Sequence, residues 1–589
     1  MLNVETLYEE GYFTALEHRF AESLARIVPG TSPEVLLAAA LTLQQTQAGH
    51  VCVAPARFAG RPILSREGNR IGDFKWPSLK KWLKEIAASP LTSDGETGAP
   101  LVLDAAGRLY LHRYWRYETE LAAMLAVWAS APPEALDDVM LEDGLDRLFG
   151  PADPSNVGTM AARLAAERAC RRKLAVITGG PGTGKTTLVL RILTLLAEQQ
   201  LSRNGVGPAI VVAAPTGKAA DRIGEVMGRM SADVSTDPRV VEVLPKQAMT
   251  VHRLLGSGKN GTMPSQAISA DIVVVDEASM VDVALMHALV SALRPSARLI
   301  LLGDKDQLSS VESGAVLADI CDAAIADEKG PMADITSTLT FSYRFDGQGG
   351  IGRLSDAINR GDVAEALQTL HTDPSKKVRF VSALTIEEIE SALTPLIACY
   401  YGEALAETDP DAALARFMRF RILTAHRRGP MGSAGINRFV ETELYKAGHI
   451  DLGGMWYRGR PVMVTRNDYH LGLFNGDIGL ALPAGKESAY LSVFFSGIDG
   501  LLQVLPARLA AAETAYAMTV HRSQGSEFDH VAVVLPSKPS PIITRELLYT
   551  ACTRAKKSLT IIGPESQIRH AVENPTQRVS GLKDCFLTL

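Results

Sequence analysis

Residues 173–196 read KLAVITGGPGTGKTTLVLRILTLL, and the middle of that run decides the fold. "KLAVIT" is a short apolar, β-branched run of the kind that forms a buried strand. "TLVLRILTLLAEQQ", residues 187–200, spaces Leu and Ile as a helix does. Between them lie Gly179, Gly180, Pro181, Gly182, Thr183, Gly184, Lys185, Thr186 and Thr187. A strand, then GxxxxGK[ST], then a helix is the phosphate-loop arrangement. The glycines let backbone N–H groups turn inward around phosphate oxygens, and the helix N-terminus adds a favourable dipole. Lys185 is expected to reach the β- and γ-phosphates of ATP, and the Thr186 hydroxyl to hold Mg²⁺.

Four runs set the surroundings of the loop: "KLAVIT", "PAIVVAAP" (208–215), "ADIVVVDEA" (270–278) and "ARLILLGD" (297–304). They are Val- and Ile-rich and alternate with helical stretches, as a parallel sheet covered on both faces requires. A second such region begins at "RFRILTAHRR" (419–428) and resumes at "DHVAVVLP" (529–536) and "SLTIIG" (558–563). Between its parts, "RGRPVMVTRNDYHLGLFNGDIGLAL" (458–482) and "AYLSVFFSG" (489–497) read as short strands joined by Asn-Gly and Gly turns. A small β-barrel at about 452–512, inserted into the second α/β domain, is expected there. Residues 1–115 are expected to form a separate unit. "SPEVLLAAALTLQQTQAG" (32–49) and "WPSLKKWLKEIAAS" (76–89) are expected helices, and "PLVLDAAGRLYLHRYWRYE" (100–118) a hairpin about Asp-Ala-Ala-Gly. Residues 116–149 run into the acidic, Pro-containing "ASAPPEALDDVMLEDGLDRLFGPADPSN" (129–156) and are expected to be a connector. The two motor domains are then 150–345 and 346–589.

Composition narrows the function classes. Across 589 residues, 46% are hydrophobic and 21% charged, ordinary for a globular chain of several domains. The formal net charge of −6 means that nucleic acid would have to be held by a local groove rather than by a generally basic surface. Six cysteines lie scattered, without CxxC pairs or a His/Cys cluster at metal spacing, which fits a reducing compartment. The amino terminus lacks an apolar signal core and no stretch of about 18 apolar residues occurs. A cytoplasmic location without membrane contact is the expectation.

Further elements bear on what the nucleotide does. "DIVVVDEASM" (271–280) ends a strand in Asp276-Glu277 beside the phosphate loop. Asp276 is expected to serve Mg²⁺, and Glu277 to activate the attacking water. "LLGDKDQLSSVESGAV" (301–316) ends a strand in Gly-Asp and places Gln307 in the following loop, with an amide long enough to meet a γ-phosphate and a neighbouring element. Arg344 in "LTFSYRF" and Arg554 in "LLYTACTRAKKSLTII" are expected to come from the far lobe onto the γ-phosphate.

In this order the motifs resemble superfamily 1 DNA helicases over roughly residues 150–565. The motifs that carry the resemblance include "AAPTGKAADRI" (213–223), "TVHRLLG" (250–256) and "AYAMTVHRSQGSEFDHVAVVLP" (515–536). The forms "APTGKAA" and "HRSQGSEF" resemble the branch that moves 5′ to 3′. Within it the chain is similar to the RecD subunits of the RecBCD enzyme (exodeoxyribonuclease V), with support from "LLAAALTLQQTQAGHVCV" (36–53), "ILTAHRRGPMGSAGIN" (422–437) and "GRPVMVTRNDYHLGLFNGDIG" (459–479). The resemblance implies two RecA-like motor domains, an SH3-like form for the inserted barrel, and a mainly helical N-terminal unit that docks to partners. It implies RecB and RecC subunits as those partners, single-stranded DNA and duplex ends as substrates, and DNA contacts at Thr216, His252, Thr519, His521, Ser523 and Gln524. These short hydroxyl, imidazole and amide groups suit phosphate and sugar contact without sequence readout. The family complex degrades DNA, but the sequence shows no Asp…Glu-x-Lys metal-binding constellation outside the motor motifs, so nuclease activity is expected in a partner subunit. A stand-alone RecD-like helicase and an ATP-gated scaffold without unwinding are the competing expectations. The family's frequent Gln ahead of the phosphate loop is absent from "PSNVGTMAARLAAERACRRKLAVIT" (154–178), leaving selectivity for ATP without its usual reader.

Overall fold

The computed structural model describes residues 2–65, 69–235, 237–256, 267–345, 349–468, 470–485, 490–497 and 500–588. Its first sheet has six parallel strands. From one edge the order is Thr336–Leu339, Leu174–Gly179, Arg298–Gly303, Ile272–Val275, Ile210–Ala214, Met249–Thr250. Side chains alternate across the sheet with the period of two that strands impose. Ala175, Ile177, Val274, Ile300 and Leu302 point to one face, where helix Lys185–Asn204 supplies Val189, Leu190, Ile192 and Leu193. Leu174, Val176, Val273, Val275, Leu299 and Leu301 point to the other. The four runs expected as buried strands are all strands of this sheet.

The second sheet is also parallel, in the order Val378–Ser382, Ala555–Gly563, Phe528–Val534, Phe420–Thr424, Ala517–Thr519. It begins one strand earlier than the sequence signals suggested, because "VRFVS" is a short, only partly buried edge strand whose apolar residues are interrupted by Arg379. Between helix Ser433–Lys446 and strand Ala517–Thr519 lies an antiparallel sheet of five strands spanning 461–514, in the order Gly500–Val504, Leu491–Gly497, Ile478–Pro483, Pro461–Val464, Ala512–Thr514. It has its own small core around Val462, Val493 and Phe495. Among the described residues its two edge strands do not pair with each other; this five-stranded sheet stands where the inserted SH3-like barrel was expected.

The N-terminal unit carries helices Ala15–Ile27, Pro33–Gln47 and Leu79–Ala88 and a four-stranded sheet. Its core holds the stacked indoles of Trp76 and Trp82, 5.5 Å apart. The hairpin about Asp104–Gly107 forms as expected between Leu101–Leu103 and Leu109–Leu111. The aromatic residues after it do not extend the strand; they open helix His112–Ala129.

Two expectations about this half of the chain are corrected. Residues 116–149 are not a connector. Most of that span lies in helices His112–Ala129 and Asp138–Phe149, and Leu121, Leu125, Leu141 and Leu145 are buried. The acidic residues that suggested a linker occupy the solvated side of an amphipathic helix. Nor is the N-terminal unit free of the motor. Val51, Cys52, Val102 and Tyr110 share one core with first-sheet residues Leu174 and Val273 and with Val579, Leu582 and Phe586 of the C-terminal tail. Among the described residues, no helix is long and apolar enough to cross a membrane.

Candidate active site

The phosphate loop leaves strand Leu174–Gly179, turns through Gly182 and Gly184 at φ of 79° and 81°, and enters helix Lys185–Asn204. Both glycines occupy the left-handed region that a side chain disfavours. At Gly182 the space is also taken, since a Cβ would stand 2.4 Å from the Cβ of Arg344. The Lys185 ammonium donates to the loop's own carbonyls, Gly179 O at 2.5 Å and Gly180 O at 3.1 Å.

Strand Ile272–Val275 delivers Asp276 and Glu277 to the same cleft. Asp276 accepts from the Glu277 backbone N–H at 2.8 Å, and Glu277 is held at φ 51°. Such strain in a non-glycine residue persists only where its surroundings enforce it, and it concentrates at functional sites. Burial, and then the neighbouring Glu277, push the Asp276 carboxyl above its ordinary range.

The second lobe enters through Arg554, at the end of helix Arg545–Thr553. Its Nη2 donates to Gln307 Oε1 at 2.9 Å, its Nε to Thr550 O and its Nη1 to Ser526 O. Gln307 in turn donates to Asp304 at 2.9 Å, and Tyr549 donates to the same carboxylate at 3.0 Å. Gln307 is thus held between Asp304 of its own lobe and Arg554 of the far lobe. Arg344 corrects its expectation: it does not come from the far lobe. It follows strand Thr336–Leu339 of the first sheet, in a segment packed on the phosphate loop through Tyr343 N–H to Gly182 O (2.9 Å) and Ser342 Oγ to Pro181 O (3.1 Å).

What Arg344 touches is Glu527, which sequence reasoning passed over although it lies in the quoted "HRSQGSEF". Glu527 receives Arg344 Nη2 at 2.7 Å, Arg222 Nη2 at 2.7 Å and Lys556 Nζ at 3.5 Å. Burial alone would raise this carboxyl; the charges of Arg222 and Arg344 overcome it and hold it at about 2. No sequence signal separated Glu527 from an ordinary turn residue, because its partners come from three distant segments. Tyr343 was likewise missed. It stands at the cleft with its ring beside Gly184, 63% exposed, and lines the same cavity as the apolar Leu148, Phe149 and Ala162.

Together these groups line a cavity of about 650 Å³, within the range of sites that take drug-sized ligands. Five cationic side chains (Lys185, Arg191, Arg222, Arg344, Arg554) face three carboxylates (Asp276, Glu277, Glu527), an excess that suits a polyphosphate. Arg344 Nη1 is buried and lacks a hydrogen-bond partner among the described residues. A buried guanidinium donor is costly to leave unpaired, and a phosphate oxygen would pair it. Thr186 and Asp276 line the same cavity. One hydroxyl and one carboxylate are what Mg²⁺ takes from a protein when water and phosphate supply its other ligands. The residues present thus fit ATP with Mg²⁺.

The expected DNA contacts divide. Thr216 and His252 follow the ends of strands Ile210–Ala214 and Met249–Thr250, and Thr519 and His521 occupy the matching end of strand Ala517–Thr519. Ala219, three residues after Thr216, brings its Cβ to 3.6 Å from the position of a Cβ at Gly525, four residues after His521. Ser523 is corrected. It is fully buried and donates to Val520 O at 2.7 Å, which leaves it facing no groove. Gln524 is buried too, and its amide donates across the lobes to Leu308 O at 2.8 Å.

Two parallel-sheet lobes that share a phosphate loop and a far-lobe arginine define an ATP-dependent helicase motor. Family models agree along the chain: an AAA domain at 162–313, the UvrD-like helicase C-terminal domain at 514–562, and the RecBCD enzyme subunit RecD N-terminal domain at 9–110. The chain is 38% identical over 590 residues to the RecBCD enzyme subunit RecD of Mycobacterium tuberculosis (strain CDC 1551 / Oshkosh), covering 98% of this chain and 96% of that one. It is 38% identical over 574 residues to the same subunit of Mycolicibacterium smegmatis, covering 96% and 95%. It is 31% identical to the ATP-dependent RecD2 DNA helicase of Deinococcus radiodurans over 90% of this chain and 65% of that one. The chain belongs to the RecD family.

Proposed function

We propose that this helicase hydrolyses ATP with Mg²⁺ between its lobes and uses the closure to step 5′ to 3′ along single-stranded DNA. We assign it, as the DNA helicase subunit, to a RecBCD assembly with RecB and RecC in the cytoplasm, acting on duplex ends in break repair and recombination. The observation that carries the motor reading is the contact between Arg554 and Gln307, 2.9 Å apart across the cleft that also holds Lys185, Asp276 and Glu277.

In this scheme the backbone N–H groups of residues 182–187 and the Lys185 ammonium hold the phosphates. Thr186 and Asp276 would hold Mg²⁺, which would neutralise charge on the phosphate oxygens. Glu277 accepts the proton of the attacking water. Gln307 and Arg554 orient to the γ-phosphate when the lobes close, and Arg344 supplies further positive charge. Tyr343 offers an aromatic face for the nucleobase. Thr216, His252, Thr519 and His521 meet the DNA backbone, so an acidic chain binds DNA through a local set of donors.

Unwinding of 5′-tailed and 3′-tailed duplexes, with and without RecB and RecC, tests this proposal, with Lys185→Gln as the inactive control. Unwinding of the 5′-tailed substrate alone is the expected result. Equal unwinding of both tails, or unwinding that survives Lys185→Gln, would overturn it.

A further inference from the structure

The loop that carries Gln307 is held from three directions, and two of them lie outside the motor lobes. On the second-lobe side, Leu308 donates to Thr550 Oγ1 at 3.0 Å and accepts from Gln524. On the opposite side the loop meets Arg578, eleven residues before the chain's last position. Arg578 Nη1 donates to Glu312 O at 2.5 Å, Gly314 O at 2.8 Å and Ser310 Oγ at 3.3 Å, and its Nη2 donates to Ser310 O. One guanidinium thus gathers three backbone carbonyls of one short loop, a use of its planar fork that an ammonium cannot copy.

The third hold comes from the N-terminal unit. Ser313, which is buried, donates to Thr46 O at 2.9 Å, and Gly314 donates to Gly49 O at 3.0 Å. His50 and Val51 then tie the same turn to the tail. Val579 donates to His50 Nδ1 at 2.9 Å, and Val51 donates to Val579 O at 2.9 Å. Burial, and then the charge of Arg578, lower the His50 pKa to about 4, so the ring is neutral at ordinary pH and its Nδ1 is free to accept. Gly49 is required on two counts. Its φ is +94°, and a Cβ would stand 3.0 Å from Arg578 Cζ. The turn belongs to "LLAAALTLQQTQAGHVCV", and the motor's own chemistry gives those residues no task.

We infer that Arg578 and the Thr46–Val51 turn are positioning elements of ATP hydrolysis: they fix loop 310–314 so that Gln307 stays aligned with Arg554. ATP turnover then depends on the seating of the N-terminal unit, which makes that unit a control surface for the motor as well as a candidate dock. The inference rests on the proposed ATPase reading. Neither Arg578 nor the turn lines the nucleotide cavity, so their loss should misplace Gln307 and leave nucleotide binding intact. Displacements of about 1 Å in a catalytic array cost on the order of 100-fold in rate.

The test uses the full chain: steady-state ATPase with saturating single-stranded oligonucleotide, with kcat and KM for ATP measured separately. Arg578→Ala should lower kcat at least about tenfold with KM for ATP within about twofold. Arg578→Lys should recover part of the loss, since it keeps the charge and some of the donors. Ser313→Ala removes one buried hydrogen bond to the N-terminal unit and should lower kcat about two- to fivefold; this variant carries the test if Arg578→Ala fails to fold. A wild-type kcat in Arg578→Ala and Ser313→Ala, or a loss that appears as a raised KM, would overturn the inference. A wild-type chain without ATPase activity would instead overturn the ATPase reading on which it rests.

Discussion

Glu527 is where the charges of the cleft meet, and Glu527→Gln measures what that meeting contributes. The carboxylate is 9% exposed, takes Arg344 and Arg222 at 2.7 Å each, and is held at about 2 rather than 4.5. That depression corresponds to about 3 kcal/mol of preference for the ionised form. Removing one partner from a buried pair costs a similar about 3–5 kcal/mol. The group is depressed, so its contribution is complete above about pH 4.5 and is lost as pH falls toward about 2; an assay at pH 7.5 sees all of it. The variant leaves Arg222, Arg344 and Lys556 repelling one another, and the melting midpoint should fall by roughly 6–12 °C, about 3 kcal/mol at about 2–4 °C per kcal/mol for domains of this size. A polyphosphate would return negative charge to the same arginines. ATP should therefore raise the midpoint more in Glu527→Gln than in the wild type, as scanning fluorimetry with and without ATP and Mg²⁺ can measure. An unchanged midpoint in the variant, or an equal ATP shift in both proteins, would refute the claim that carboxylate and nucleotide share these cations.

Glu277→Gln should keep nucleotide affinity and stall hydrolysis, giving a protein that holds DNA stably in ATP; loss of nucleotide binding in a filter assay would mean that its role and that of Asp276 are exchanged. Arg554→Ala should reduce kcat by about 10³–10⁵, the range for an arginine finger, with KM for ATP nearly unchanged; a change confined to KM would make Arg554 a binding residue. Burial pushes Glu118 to about 7 despite hydrogen bonds from Ser580, Gly581 and Tyr110, and burial with Glu118 does the same to Asp319, whose Oδ2 has no partner among the described residues. The folded chain then keeps protons that the unfolded chain releases, so stability should fall as pH rises from about 4.5 to about 7. Melting midpoints at pH 5.5 and 8 should differ less in Glu118→Gln than in the wild type; an identical difference would sink this assignment.

The local chemistry of the motor was legible because it depends on short-range order. A strand that ends in Asp276-Glu277, or one that runs into Gly182 and Gly184, needs only its own residues to form. The parallel sheets followed from Val- and Ile-rich runs alternating with helices. The errors have physical causes as well. Asp138–Phe149 looked like a linker because its charges were visible and its buried Leu141, Leu145 and Phe149 were spaced along one helix face. Ser523 looked like a DNA contact because its motif suggested one, yet its hydroxyl is spent on Val520 O. The N-terminal unit looked separable because nothing in its sequence states that Val51 and Cys52 enter the motor's core. A truncation near residue 140 would open that core.

What the sequence determined by itself was the set of candidate reacting groups: Lys185, Thr186, Asp276, Glu277, Gln307 and Arg554, each placed at a strand end, a helix end or the loop that follows one by local propensity. What only the tertiary structure decided was which groups from distant segments meet. Arg222, Arg344 and Lys556 converge on Glu527 from positions 222 to 556, and Arg578 reaches back to a loop 264–268 residues earlier. Such contacts are set by strand order and by how the lobes and the tail pack. Those depend on burying many apolar side chains at once, and no short stretch of the chain carries that information.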